Sequence, residues 1–144
     1  MTGFSPFRIE SFALTHKGCV RDQNQDSYSS QEAKGLWAVA DGMGGHEGGE
    51  WASARLAEAL DGVAIPAGLD EACAAVTEAI QAANATIIEE ARSRGRQMGS
   101  TIVALIVKGD RYAVLWVGDS RAYLLRDGAL KQLSRDHSQV QEMV

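Results

Sequence analysis

Three aspartates sit where a chain changes direction or carries many oxygen atoms. Asp26 closes "RDQNQD", Asp41 opens "DGMGGHEGGE", and Asp119 lies in "VGDSR". Carboxylates are hard oxygen ligands suited to Mg²⁺ or Mn²⁺, as are backbone carbonyls. In Asp41-Gly42 the side chain can take an ion, and the missing Cβ leaves the neighbouring carbonyl free to turn toward it. Arg21 is close to Asp26 in sequence. Three separated acidic strand ends with an arginine nearby would suit phosphoryl chemistry, in which metals activate water and neutralise charge. Each piece alone also fits a plainer description: a glycine turn before a helix, a solvated polar loop, a turn between strands.

The glycine run limits the choices further. Five of the eight residues from Gly42 to Gly49 are glycine, and such freedom is costly to order. A P-loop requires a lysine after the glycines, and none follows here. A dinucleotide fingerprint would place glycine where Glu47 stands, and Asp41 would repel a pyrophosphate. Asp22, Asn24 and Asp26 fit the first positions of a calcium loop. Ser27 and Ala33 then stand where that loop needs glycine and glutamate, so calcium sensing is excluded.

Bulk properties agree with a globular domain. The 144 residues are 45% hydrophobic and 23% charged, enough for one domain with its own core. A net charge of −5 argues against nucleic acid, which is held mainly through Lys and Arg. Two cysteines, Cys19 and Cys73, form neither a zinc pattern nor a disulfide framework. No stretch has the length of a membrane span, and the N-terminus lacks a secretory pattern, so the expected location is the cytoplasm.

The elements that must position these residues follow from periodicity. Phe7 to His16 reads as a strand, and "KGCVRDQNQDSYSS" as a polar loop. "GLWAVADG" reads as a buried strand running into a turn. Helices are predicted from about Gly48 to Leu60 and from about Asp70 to Ser93, the second with an apolar face through Cys73, Val76, Ile80, Ala83 and Ile87. "GSTIVALIV", "RYAVLWVG", "RAYLLR" and "ALKQL" predict an antiparallel meander of about four strands, with turns at Gly109-Asp110 and Asp127-Gly128. The tail "SRDHSQVQEMV" reads as a helix start that Ser134 or Asp136 could cap. The order is α+β rather than alternating βαβ.

Taken in order, "GCVRDQNQDSY", "VADGMGGHEGGEWAS", "MGSTIVALIV" and "WVGDSRAYLLRDGALKQLSRDHS" resemble the protein phosphatase 2C family, in its bacterial branch, over about Gly18 to Ser138. The resemblance implies an antiparallel β-sandwich flanked by helices. It also implies a metal-dependent serine/threonine phosphatase that hydrolyses phosphoserine and phosphothreonine through a metal-bound hydroxide. Arg21 matches the arginine that holds the substrate phosphate. Asp26 matches a metal carboxylate, Asp41 the carboxylate bridging two ions, Gly42 a carbonyl ligand, and Asp119 a ligand of a third, weaker ion. The implied cofactors are two or three Mn²⁺ or Mg²⁺ ions. The implied partners are phosphoproteins and a cognate Ser/Thr kinase, with no nucleic acid and no membrane. Gly99-Ser100-Thr101 and Asp136-His137-Ser138 match motifs read as mainly structural.

Three departures accompany the resemblance. Gln25 replaces a glutamate often found beside the metal aspartate; it could still orient a metal-bound water. Met43 stands where animal-type members carry a histidine, as in the bacterial pattern, and His46 nearby is not assigned that role. The family's catalytic domain is longer than residues 1–144. The expectation is therefore a single, truncated phosphatase domain that is inactive by itself, with an inactive regulatory or binding module as the alternative.

Overall fold

The computed structural model describes residues 8–14, 25–44, 47–134 and 139–143. The strands are β1 (Asp26–Gln31), β2 (Leu36–Gly44), β3 (Met98–Ser100), β4 (Ile102–Lys108), β5 (Arg111–Val117), β6 (Tyr123–Arg126), β7 (Ala129–Gln132) and β8 (Gln139–Met143). The helices α1 (Gly48–Gly62) and α2 (Leu69–Arg94) lie between β2 and β3. The main sheet runs β1-β2-β4-β5-β8, with β3 also on β2, and β6-β7 form a separate ribbon. Every pairing is antiparallel.

Strand parity divides the main sheet into two faces. Leu36, Ala38 and Ala40 of β2, Ile102, Ala104 and Ile106 of β4, and Ala113 and Leu115 of β5 are buried with Leu56 and Leu60 of α1 and Val76 and Ile87 of α2. The alternate residues form the opposite face. There Val114 and Trp116 pack with Leu133, Leu105, Tyr112 and Leu124, so the β6-β7 ribbon covers that end. Trp51 in the first turns of α1 lies between the guanidinium groups of Arg55 and Arg94, 5.0 and 5.3 Å from its centroid. Each such contact contributes about 0.5–1 kcal/mol at an exposed site. Together they tie the start of α1 to the end of α2.

Both helices and both Gly/Asp hairpins lie where the sequence places them. Asp127 and Gly128 take φ of 52° and 78°, the double left-handed turn that Asp-Gly favours. Five other readings need correction. Residues 8–14 carry no strand; Phe12 and Leu14 are exposed, and Ser11 reaches Glu32 by a 3.0 Å hydrogen bond. Apolar alternation alone makes no strand: among the described residues the outer edge of β1 is open, yet residues 8–14 do not pair with it and Phe12 and Leu14 stay largely exposed.

The polar "DSYSSQ" is β1 instead of loop. Its inward serines are satisfied by α1: Ser29 donates to Asp61 at 2.6 Å, and Ser27 and Ser53 share a 3.0 Å bond. The β2 strand does not turn at Asp41-Gly42 but continues to Gly44 by pairing with β3. The four-strand meander is two hairpins in different sheets, broken at Gly118, whose φ is 98°. The tail is the strand β8 rather than a helix, because β5 presents an open edge that it fills. Ser134 caps no helix; its hydroxyl accepts the Ala122 N–H at 3.0 Å. Asp136 lies outside the described residues.

Among the described residues no helix is long and apolar enough to cross a membrane. Cys73 is half-buried, and that burial, with Asp70 adding to it, raises its thiol pKa despite Arg111. Burial lowers the Lys108 pKa, and its ammonium donates to the Lys34 carbonyl at 3.0 Å.

Candidate metal centre

The β1-β2 ladder runs from Gln31 opposite Leu36 to Asp26 opposite Asp41. Two aspartates 15 residues apart in the chain thus face each other on the last rung. Residues paired in this way have Cβ atoms about 5 Å apart, and like charges there are destabilising. Parity places both on the face away from the helices. One Asp26 carboxylate oxygen is buried. A cavity of about 350 Å³ on that face, bordered by Trp37, Val39, Val103 and Leu105, extends to Asp26. A divalent cation between the two carboxylates would turn their repulsion into attraction, and both donors are of the type that Mg²⁺ and Mn²⁺ accept. The residues present fit such an ion.

The backbone of Asp41 is fixed on the side of β3 and β4. Its N–H donates to Thr101 Oγ1 at 3.2 Å, and its carbonyl accepts the Thr101 N–H at 2.9 Å. Thr101 stands between β3 and β4, at the point where β2 exchanges one partner for the other. On the side of β1, the Gly42 N–H donates to the Gln25 carbonyl at 3.0 Å, and the Ser53 hydroxyl donates to the same oxygen at 2.6 Å. Gln25 Nε2 donates to the Gly44 carbonyl at 3.0 Å. The Gln25 amide therefore braces the strand end, a partner the sequence reading did not give it.

Gly42 lies against the first turn of α1. A Cβ there would enter the shell of the Gly49 carbonyl oxygen and come within 2.8 Å of the Gln25 carbonyl oxygen. The glycine in Asp-Gly is thus required by close contact with a helix, whatever its carbonyl binds. Met43, one residue on, is exposed.

Asp119 is exposed in the turn after β5. It does not join Asp26 and Asp41 in one cluster: among the described residues no three His, Cys, Asp or Glu side chains gather as a metal group. Its neighbour Ser120 shares a 2.6 Å hydrogen bond with Thr101 Oγ1. Arg21 and His46 lie outside the described residues, as do Asp136, His137 and Ser138. Thr101, in a motif read from sequence as mainly structural, has that role as a support of Asp41, whereas the sequence reading missed Ser53 as a support.

Two antiparallel sheets, a helix pair on one face and paired aspartates at the strand ends define an α+β protein with a candidate divalent-metal centre. Residues 8–142 match the family model for protein phosphatase 2C, and the chain belongs to that family. It is similar to the serine/threonine protein phosphatase PstP of Mycobacterium tuberculosis, 37% identical over 134 residues, covering 92% of this chain and 26% of PstP.

Among solved structures it resembles PppA of Pseudomonas aeruginosa, with a TM-score of 0.83 and 38% identity over 87% of this chain and 56% of that one. It also resembles the catalytic domain of PstP in complex with two manganese ions, with a TM-score of 0.75 and 36% identity over 85% of this chain and 54% of that one. The chain thus spans about a quarter of curated PstP and about half of the two solved chains.

Proposed function

We propose that residues 1–144 are part of a single phosphatase 2C domain whose activity is metal-dependent hydrolysis of phosphoserine and phosphothreonine in proteins. The observation that carries this reading is the direct opposition of Asp26 and Asp41 on the last rung of the ladder. Two facing carboxylates repel each other, and a cation between them offsets that repulsion. The PstP catalytic domain, which the chain resembles, was solved with two manganese ions.

In this reading Asp26, Asp41 and the Gly42 carbonyl hold the catalytic ions, Mn²⁺ or Mg²⁺, and Asp119 helps to hold a third. Bound divalent ions supply an activated water and offset the charge of the phosphoryl group. Arg21 grips two phosphate oxygens through its guanidinium fork, a geometry that a lysine lacks. Met43 offers no proton, so the leaving hydroxyl takes its proton from another source. The substrates are phosphoproteins, with a cognate Ser/Thr kinase and its targets the first to examine, and the place of action is the cytoplasm.

In the whole protein, hydrolysis of p-nitrophenyl phosphate should require added Mn²⁺ or Mg²⁺ and stop with excess EDTA. Full turnover in EDTA would overturn the reading. Arg21→Ala should raise KM and lower kcat/KM about 10-fold or more while Mn²⁺ affinity stays near the parent value, since the residue is assigned to phosphate alone. Weakened Mn²⁺ binding with unchanged KM would instead assign Arg21 to the metal.

A further inference from the structure

Thr101 touches both halves of the proposed centre. Its side chain is almost fully buried, at 6% exposure. Its oxygen accepts the Asp41 N–H at 3.2 Å and shares a 2.6 Å hydrogen bond with Ser120 Oγ. Because that oxygen already accepts from Asp41, its own proton is available for Ser120. The three groups then form a chain in which each hydrogen bond polarises the next.

The methyl group of Thr101 fills a second role. A Cβ on Gly118 would come within 2.7 Å of the Thr101 Cγ2, and Gly118 has φ of 98°. The turn carrying Asp119 is therefore seated on the Thr101 methyl on one side of that aspartate and tied to the Thr101 hydroxyl on the other.

We propose that Thr101 is a positioning residue whose hydroxyl holds the Asp41 strand end and the Asp119 turn in one fixed relation, so that cations bound on the two sides bind together rather than independently. This rests on the assignment of Asp41 and Asp119 to metal. Groups that orient ligands from behind typically change metal affinity 10- to 100-fold when removed. A threonine suits the task because valine copies its shape without the hydroxyl, and serine keeps the hydroxyl without the methyl. Ser120→Ala cuts the same link from the exposed turn and leaves the buried Asp41–Thr101 contact intact.

The test is calorimetric titration of the metal-free whole protein with Mn²⁺, which requires no turnover. Thr101→Val and Ser120→Ala should each weaken binding about 10-fold. Thr101→Ser should bind within about 2-fold of the parent, although it melts earlier for want of the methyl. In an Asp119→Asn background, Ser120→Ala should have no further effect, since the link then leads to no ligand. Parental Mn²⁺ binding by Ser120→Ala, or losses that add in the double variant, would overturn the proposal. Asp41→Asn and Asp119→Asn titrated beside them separate the two levels. If these also bind like the parent, the metal assignment itself has failed; if they bind weakly while Ser120→Ala does not, only the coupling has.

Discussion

Asp41→Asn in the whole protein should lose Mn²⁺-dependent hydrolysis of p-nitrophenyl phosphate by on the order of 10³-fold or more. A shared metal ligand contributes several kcal/mol of charge stabilisation, and about 4 kcal/mol corresponds to that factor. The same substitution should leave the metal-free protein close to the parent in stability. Asp26 and Asp41 face each other across the ladder, so relief of their repulsion offsets the loss of other contacts of Asp41. Added Mn²⁺ should raise Tm in the parent and much less in the variant, because a ligand stabilises only the state that binds it. Calorimetric melting with and without Mn²⁺, beside the turnover assay, checks both halves. Parental turnover, or a metal-free Tm well below the parent, would show that Asp41 serves the fold instead of an ion.

Gly42→Ala should be damaging by a different route. The added methyl meets backbone on two sides, the Gly49 carbonyl of α1 and the Gln25 carbonyl, and neither can swing away as a side-chain tip would. Forcing one carbon into such a place costs about 3 kcal/mol or more. For a domain of this size or somewhat larger, that lowers Tm by about 10 °C. Because the strain falls at the junction of β2 and α1, Mn²⁺ binding should fail as well. A melting curve and a Mn²⁺ titration decide the matter. If the variant melts within a degree or two of the parent, the contact between Gly42 and Gly49 is looser than the structure shows.

The helices were legible because their apolar spacing and the breaks at Gly62, Pro66 and Gly68 are local signals. The two Gly/Asp hairpins were legible for the same reason. What escaped depends on partners distant in the chain. The serines of β1 read as loop because nothing in "DSYSSQ" announces that Ser53 and Asp61 of a later helix will satisfy them. The tail read as a helix because the free edge of β5 is invisible from residues 134–144.

For the site, residue types pointed to Asp26 and Asp41, and the ladder register explains their relation as direct neighbours. The sequence points to Asp119 equally, yet among the described residues it forms no metal group with that pair, and Thr101 and Ser120 link its turn to the Asp41 strand end. The importance of Thr101 arises from one side chain meeting two segments at once, which no window of sequence can display.

The pairing of β2 with β3 and β4 bears on the order in which the chain assembles. The β4-β5 and β6-β7 hairpins, and the β1-β2 pair, each join segments a few residues apart and can close quickly. The contacts of Asp41 with Thr101 instead bridge the whole helical pair, and loop closure over that span costs more entropy. They therefore belong to a late stage of folding. Until that stage the paired aspartates are present but not yet braced, and a cation gains little by binding. If the proposed centre binds metal, capture would follow the joining of β2 to β3 and β4 and act as a latch on that junction, drawing its folding equilibrium toward the native state by mass action.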